Sequence, residues 1–170
     1  PLKFENELWE AADNLRASAR LKSSEYAAPL LGLFFLRYSS NRFEALKNQA
    51  EEKFEAQQGS RLSKPIADIY RGLCGFYLPE LARYETLLNL TDADNIQQAV
   101  ITAMTAFEEE NKDAGVKLPK NDYLKIPHKT LREIINIISG LKVAEGDVFG
   151  RIYEYFLGKF ALSEGQKGGE

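Results

Sequence analysis

The chain has little of the material from which most active sites are made. Among its 170 residues there is one histidine, His128, one cysteine, Cys74, and one methionine, Met104. A single cysteine cannot close an internal disulfide, so a reducing cytoplasm fits. One histidine and one cysteine leave little for a zinc site of the usual Cys/His types or for a nucleophilic triad. Cys74 and His128 are conceivable as a pair in space. The competing reading makes Cys74 a small buried hydrophobe and His128, between Pro127 and Lys129, a surface or capping residue. Long apolar runs are also missing. The run "AAPLLGLFFL" at 27–36 falls well short of the ~18 residues that would span a bilayer, so a soluble protein without a membrane span is expected. No basic start with an apolar core marks a secretory signal, since "PLKFENELWEAADNLR" is amphipathic and acidic. "GQKGGE" lacks the GxxxxGK[ST] order, and neither "GLCG" nor "GGE" follows a strand and opens a helix, so no phosphate cradle is supported. Alternating strand patterns and internal repeats are absent as well.

What is present reads as helix. Composition, with 44% hydrophobic and 28% charged residues, suits one domain with a full core. Phe4, Leu8, Ala11, Ala12 and Leu15 recur at spacings of three and four, predicting a first helix that ends near Ala17. Ser23 or Ser24 caps a second helix running to about Ala56. Leu30, Leu31, Leu33, Phe34, Phe35, Leu36 and Tyr38 make its first half apolar on nearly all sides, as in a helix surrounded by others. Pro29 predicts a kink there, or a start nearer Pro29 than Ser24.

Residues 57–65 read as loop. Then come a short helix broken at Gly72 and Gly75, an extended "FYL", and a helix opened by Pro79. Thr91 and Asp94 form a capping pair for a helix over 92–111, which ends in "EEENK". Residues 113–127 read as irregular connection. Leu131, Ile134, Ile135 and Ile138 face one way on a helix that stops at Gly140. Phe149, Ile152, Tyr153, Phe156, Leu157 and Phe160 form an aromatic stripe on a last helix from about Asp147 to Leu162. The expected fold is all-α, a single compact domain of about six or seven helices around a central apolar helix. A start at Pro1 and a glycine-rich end suggest a piece of a longer chain.

Charge is informative locally. The chain carries a net −3, which argues against a strong autonomous nucleic-acid binder. Residues 117–132 nevertheless hold Lys117, Lys120, Lys125, Lys129 and Arg132 against Asp122, for a net of +4, leaving −7 on the remainder. That stretch has the charge to contact a phosphate backbone within a larger assembly; the plainer reading is a solvated loop and helix start. Arg16, Arg20 and Lys22 form a second basic group. Arg37, Arg42 and Lys47 follow, with Arg37 expected to be drawn into pairing by its apolar neighbours. The acidic run Glu108, Glu109 and Glu110 reads as a solvent-facing helix end rather than a metal site, because consecutive helical residues point in different directions.

Four collinear blocks carry a family resemblance. "FENELWEAADNLR", "SSEYAAPLLGLFFLRYSSNRFE", "GFYLPELARYETLL" and "FGRIYEYFLGKFALSEGQKGGE" resemble the N-terminal helical domain of the modification (methylase, M) subunit of type I restriction-modification systems. Pro29 departs from the family, which usually continues the helix there without proline, and the 57–64 loop is of a kind that varies widely. The resemblance implies a helical domain over 1–162 and a connector, 163–170, into an S-adenosylmethionine-dependent methyltransferase domain. In the family this connector precedes a Tyr-Thr-Pro segment. The implied parent enzyme methylates adenine N6 in a bipartite site on double-stranded DNA. The implied partners are a specificity subunit, a second methylase subunit and a restriction subunit. No residue matches the family's catalytic motif. Glu170 alone corresponds to the edge of its cofactor-binding stretch. The resemblance thus implies a DNA-clamping and assembly domain. A generic helical interaction module without DNA contact is the alternative, and a hydrolase using Cys74 a distant third.

Overall fold

The computed structural model describes the backbone of residues 23–140 and 147–161, with the side chains of 28–140 and 153–161. Seven α-helices run through the described residues: α1 (Ser23–Ala45), α2 (Lys47–Ala56), α3 (Ile66–Cys74), α4 (Tyr84–Leu88), α5 (Ile96–Glu110), α6 (His128–Ser139) and α7 (Asp147–Phe160). Short 3₁₀ turns occupy Glu80–Ala82, Lys112–Ala114 and Asn121–Lys125. Among the described residues the β-structure amounts to one isolated antiparallel bridge, Val116 to Ala161. The all-α expectation holds. The expected first helix through Phe4 and Leu15, the cations Arg16, Arg20 and Lys22, and the connector 163–170 with Glu170 lie outside the described residues.

The apolar half of α1 is the centre of the domain. Leu30, Leu31, Leu33, Phe34, Phe35 and Leu36 each expose 8% or less. The helix packs against α2, α3, α4, α6, α7 and the 121–125 turn, and a helix apolar all round needs that many neighbours to bury it. Phe35 is the aromatic hub: its ring centroid lies 5.0 Å from Phe107 of α5 and 5.8, 5.6 and 6.1 Å from Tyr153, Phe156 and Phe160 of α7. Mostly edge-on geometry adds a directional term to the burial of these rings.

Several boundaries differ from the sequence reading. Helix α1 starts at Ser23 and carries Pro29 inside it. An internal proline costs ~3 kcal/mol, while each fully buried Leu or Phe returns about 1.5–3 kcal/mol, so the six buried side chains that follow outweigh it. The run expected to continue to Ala56 is interrupted at Leu46, whose N–H is shared between the carbonyls of Arg42 and Phe43, each at 3.2 Å. Gly72 does not break α3. Gly75 ends it, at φ 92° and with its N–H on the Arg71 carbonyl at 2.8 Å. A glycine inside a helix costs only ~1 kcal/mol, whereas the left-handed turn at 75 demands one.

Pro79 opens only a 3₁₀ turn, and the five-residue α4 follows it. So short a helix needs tertiary support. Tyr84 supplies it, taking the Ser40 hydroxyl as acceptor for its N–H at 2.7 Å and donating its own hydroxyl to the Ile135 carbonyl at 2.9 Å. Thr91 and Asp94 do not cap α5. Asp94 accepts from the Thr91 N–H at 2.7 Å in a turn just ahead of it, and these bonds hold its carboxyl below the usual range. The cap is Asn95, whose side chain accepts from Gln98 N–H at 3.0 Å. Helix α6 stops at Gly140 with Leu131, Ile134, Ile135 and Ile138 buried, as the spacing predicts.

Candidate nucleic-acid interface

The basic stretch leaves the turn after α5, passes the end of α7, and enters α6. It is irregular, as the two prolines predict, yet pinned at successive points. Lys117 N–H bonds to the Phe160 carbonyl at 2.9 Å. Leu118 N–H reaches the Glu108 carboxylate at 2.6 Å. The buried Tyr123 hydroxyl donates to the Pro29 carbonyl at 2.7 Å. Gln97 donates its side-chain N–H to the Ile126 carbonyl at 2.6 Å. The backbone that carries these cations is therefore set by α1, α5 and α7 together.

The five expected cations fall into distinct environments. Lys120 is half-buried, with its Nζ 2.7 Å from Glu108 and 3.2 Å from the Leu118 carbonyl. Arg132 donates to the Leu90 carbonyl at 2.5 Å and stands 3.9 Å from the exposed Asp92. Lys117, Lys125 and Lys129 are exposed and have no ion-pair partner among the described residues. Lys125 and Lys129 flank Pro127 at the start of α6. Pro127 offers no side-chain cap, so the first-turn N–H groups there are left to solvent or to an anion.

Lys117 belongs elsewhere. With Lys159 of α7 it lines a separate groove that neither Lys125 nor Lys129 touches. One basic stretch in the sequence is thus two surfaces in the fold.

The acidic run divides in the same way. Glu109 is exposed, and Glu110 pairs with Arg71 at 3.0 Å, as a solvent-facing helix end would. Glu108 instead turns inward and clasps the basic stretch, a correction to the reading of all three as solvent-facing. Arg37 does find a partner, but it is a helix end rather than an acid: its Nη2 donates to the Ser139 carbonyl at 3.0 Å, where the α6 dipole is negative. Cys74 is partly buried, and its Sγ lies 3.4 Å from both the Tyr70 and the Phe76 carbonyl oxygens, either of which accepts its one S–H. Burial pushes its thiol above the ordinary range, and His128 is exposed at the start of α6. No hydrogen bond joins the two among the described residues.

Residues 4–138 match the HsdM N-terminal domain family. The chain belongs to this family. A curated relative, the type I restriction enzyme MjaIX methylase subunit of Methanocaldococcus jannaschii, is 32% identical over 183 aligned residues, covering 99% of this chain and 32% of the relative. The chain therefore spans about a third of the length of that relative. This HsdM N-terminal domain is accordingly that of a type I methylase subunit. Among its described residues no helix is long and apolar enough to cross a membrane.

Three features of the domain escape a linear reading: the Glu108 clasp, the Tyr123 contact with α1, and the proximity of Lys159 to Lys117. Each joins residues at least ten positions apart, and no helical or strand spacing announces such a pair.

Proposed function

We propose that this domain helps enclose duplex DNA and join the subunits of a type I DNA methyltransferase in the cytoplasm. The parent reaction is methyl transfer from S-adenosylmethionine to adenine N6. Sequence choice falls to a specificity subunit, and a second methylase subunit and a restriction subunit complete the assembly. The observation that supports DNA contact most is the pair Lys125 and Lys129, exposed beside the uncapped start of α6 on backbone held by Gln97 and Tyr123. Cations on fixed backbone lose less freedom when they meet a ligand. Lysine acts as a point charge, so these contacts position phosphates and leave base reading to another subunit. The domain's net charge of −3 makes such contacts effective only inside the assembled enzyme.

S-adenosylmethionine would supply the methyl group. Glu170, the edge of the cofactor stretch that the resemblance implies, lies outside the described residues; among those residues Cys74 is engaged by backbone carbonyls, Glu108 by Leu118 and Lys120, and Glu110 by Arg71. No step of the transfer is assigned to them.

A photoreactive amino acid placed at position 125 or 129 of the complete methyltransferase tests the reading. Adducts to duplex DNA are the expected result. Adducts to protein subunits alone would favour the interaction module without DNA contact.

A further inference from the structure

A groove of about 640 Å³ lies between the start of α1, residues 117–122 and the end of α7. Its floor is apolar, formed by Leu31, Leu118, Pro119 and Phe160. Lys117 and Lys159 stand exposed on its rim, and exposed Ala28 also lines it. The two lysines are held on one edge, because the Lys117 N–H bonds to the Phe160 carbonyl at 2.9 Å and the Val116–Ala161 bridge fixes the same crossing. Lys120 also lines the groove, but its ammonium is engaged by Glu108. Among the described residues Asp122 is the one acid in the lining.

Apolar floor and cationic rim together narrow the occupant. A phosphodiester has no use for a floor without donors, and a purely apolar segment has no use for two lysines. A polypeptide segment that places an apolar side chain between carboxylates satisfies both, by burial at the centre and charge pairing at the edge. We propose that this groove docks such an acidic, apolar-centred segment of a partner polypeptide. The inference stands apart from the DNA-enclosing reading, since Lys125 and Lys129 take no part in the groove.

The test uses the complete methylase subunit and a fluorescein-labelled peptide of leucines flanked by glutamates, beside the same peptide with glutamines. Two variants probe the site: Ala28→Trp, which fills the groove from an exposed position, and Lys117→Glu with Lys159→Glu, which reverses the rim. All three positions are exposed, so the fold is retained, and circular dichroism checks it. The glutamate peptide is expected to bind about threefold to tenfold more tightly than its glutamine counterpart, as two exposed ion pairs allow. Either variant should weaken the glutamate peptide at least that much, while the salt dependence of DNA binding by the assembled methyltransferase stays unchanged. No saturable binding to the unaltered subunit, equal affinity for the two peptides, or binding indifferent to Ala28→Trp would each overturn the proposal. So would a flattened DNA salt dependence in the Lys117 and Lys159 double variant, which would hand the groove to DNA.

Discussion

The hydroxyl of Tyr123, a fully buried side chain, donates to the carbonyl of Pro29 at 2.7 Å and so ties the basic segment to the central helix. The approach requires Gly32. A Cβ there would collide with the Tyr123 hydroxyl and stand 2.8 Å from Pro119 Cγ. Gly32→Ala should therefore destabilise the chain by about 1–3 kcal/mol despite the better helix propensity of alanine. Tyr123→Phe, which removes only the hydrogen bond, should cost about 0.5–1.5 kcal/mol. Urea unfolding measures both, and a stabilised Gly32→Ala variant would show that the contact does not exist.

Glu108 and Lys120 form an ion pair, yet they are not equivalent. Glu108 also accepts from the Leu118 N–H at 2.6 Å, on a residue that is almost wholly buried. Glu108→Ala leaves that N–H without its acceptor, at a cost of about 1–3 kcal/mol. Lys120→Ala leaves it satisfied and should cost about 1 kcal/mol or less. Equal losses in the two variants would mean that the pairing, rather than the N–H, is what matters.

Alkali should unfold the domain. Burial raises the phenol pKa values of Tyr84, Tyr123 and Tyr153 above the ordinary value. Below pH ~10 both folded and unfolded chains keep these protons and stability is unaffected. Above it the unfolded chain loses them first, so stability falls by about 1.4 kcal/mol per pH unit for each phenol that stays protonated in the fold. Comparing unfolding at pH ~9 and ~11, Tyr84→Phe should soften the decline by about one such step. A decline identical to that of the parent chain would refute the assignment of Tyr84.

Leu36, with 0% exposure on the central helix, sets the scale of the core. Leu36→Ala should cost about 2–5 kcal/mol in equilibrium unfolding. A loss below about 0.5 kcal/mol would be incompatible with a side chain packed on all sides.

How much of this was readable beforehand depends on the range of the cause. Leu131, Ile134, Ile135 and Ile138 announce α6 because its burial follows a local period, and the apolar run at 30–36 announces the central helix because a helix apolar on nearly all sides has to be surrounded. Helix α5 starts later than the Thr91 and Asp94 pair predicts, because those two residues bond to each other in a turn of their own and Asn95, itself a good cap, takes the Gln98 N–H. The candidate site was legible as a count of charges and illegible as a surface. Lys120 is drawn inward by Glu108, twelve residues away in sequence, and Lys117 is turned toward Lys159 by a backbone bond to Phe160. These pairings are products of the fold, and a charge sum over 117–132 cannot resolve them.

The central claim is that Lys125 and Lys129 meet DNA phosphates, and the salt dependence of duplex binding tests it most directly. Each phosphate neutralised by a lysine releases counterions and adds about 0.9 to the slope of log affinity against log salt. In the complete methyltransferase, Lys125→Ala with Lys129→Ala should flatten that slope by about 2 and leave the preferred DNA sequence unchanged. A slope identical to that of the unaltered enzyme, with the subunits still assembled, would return these lysines to the solvated surface and contradict the account.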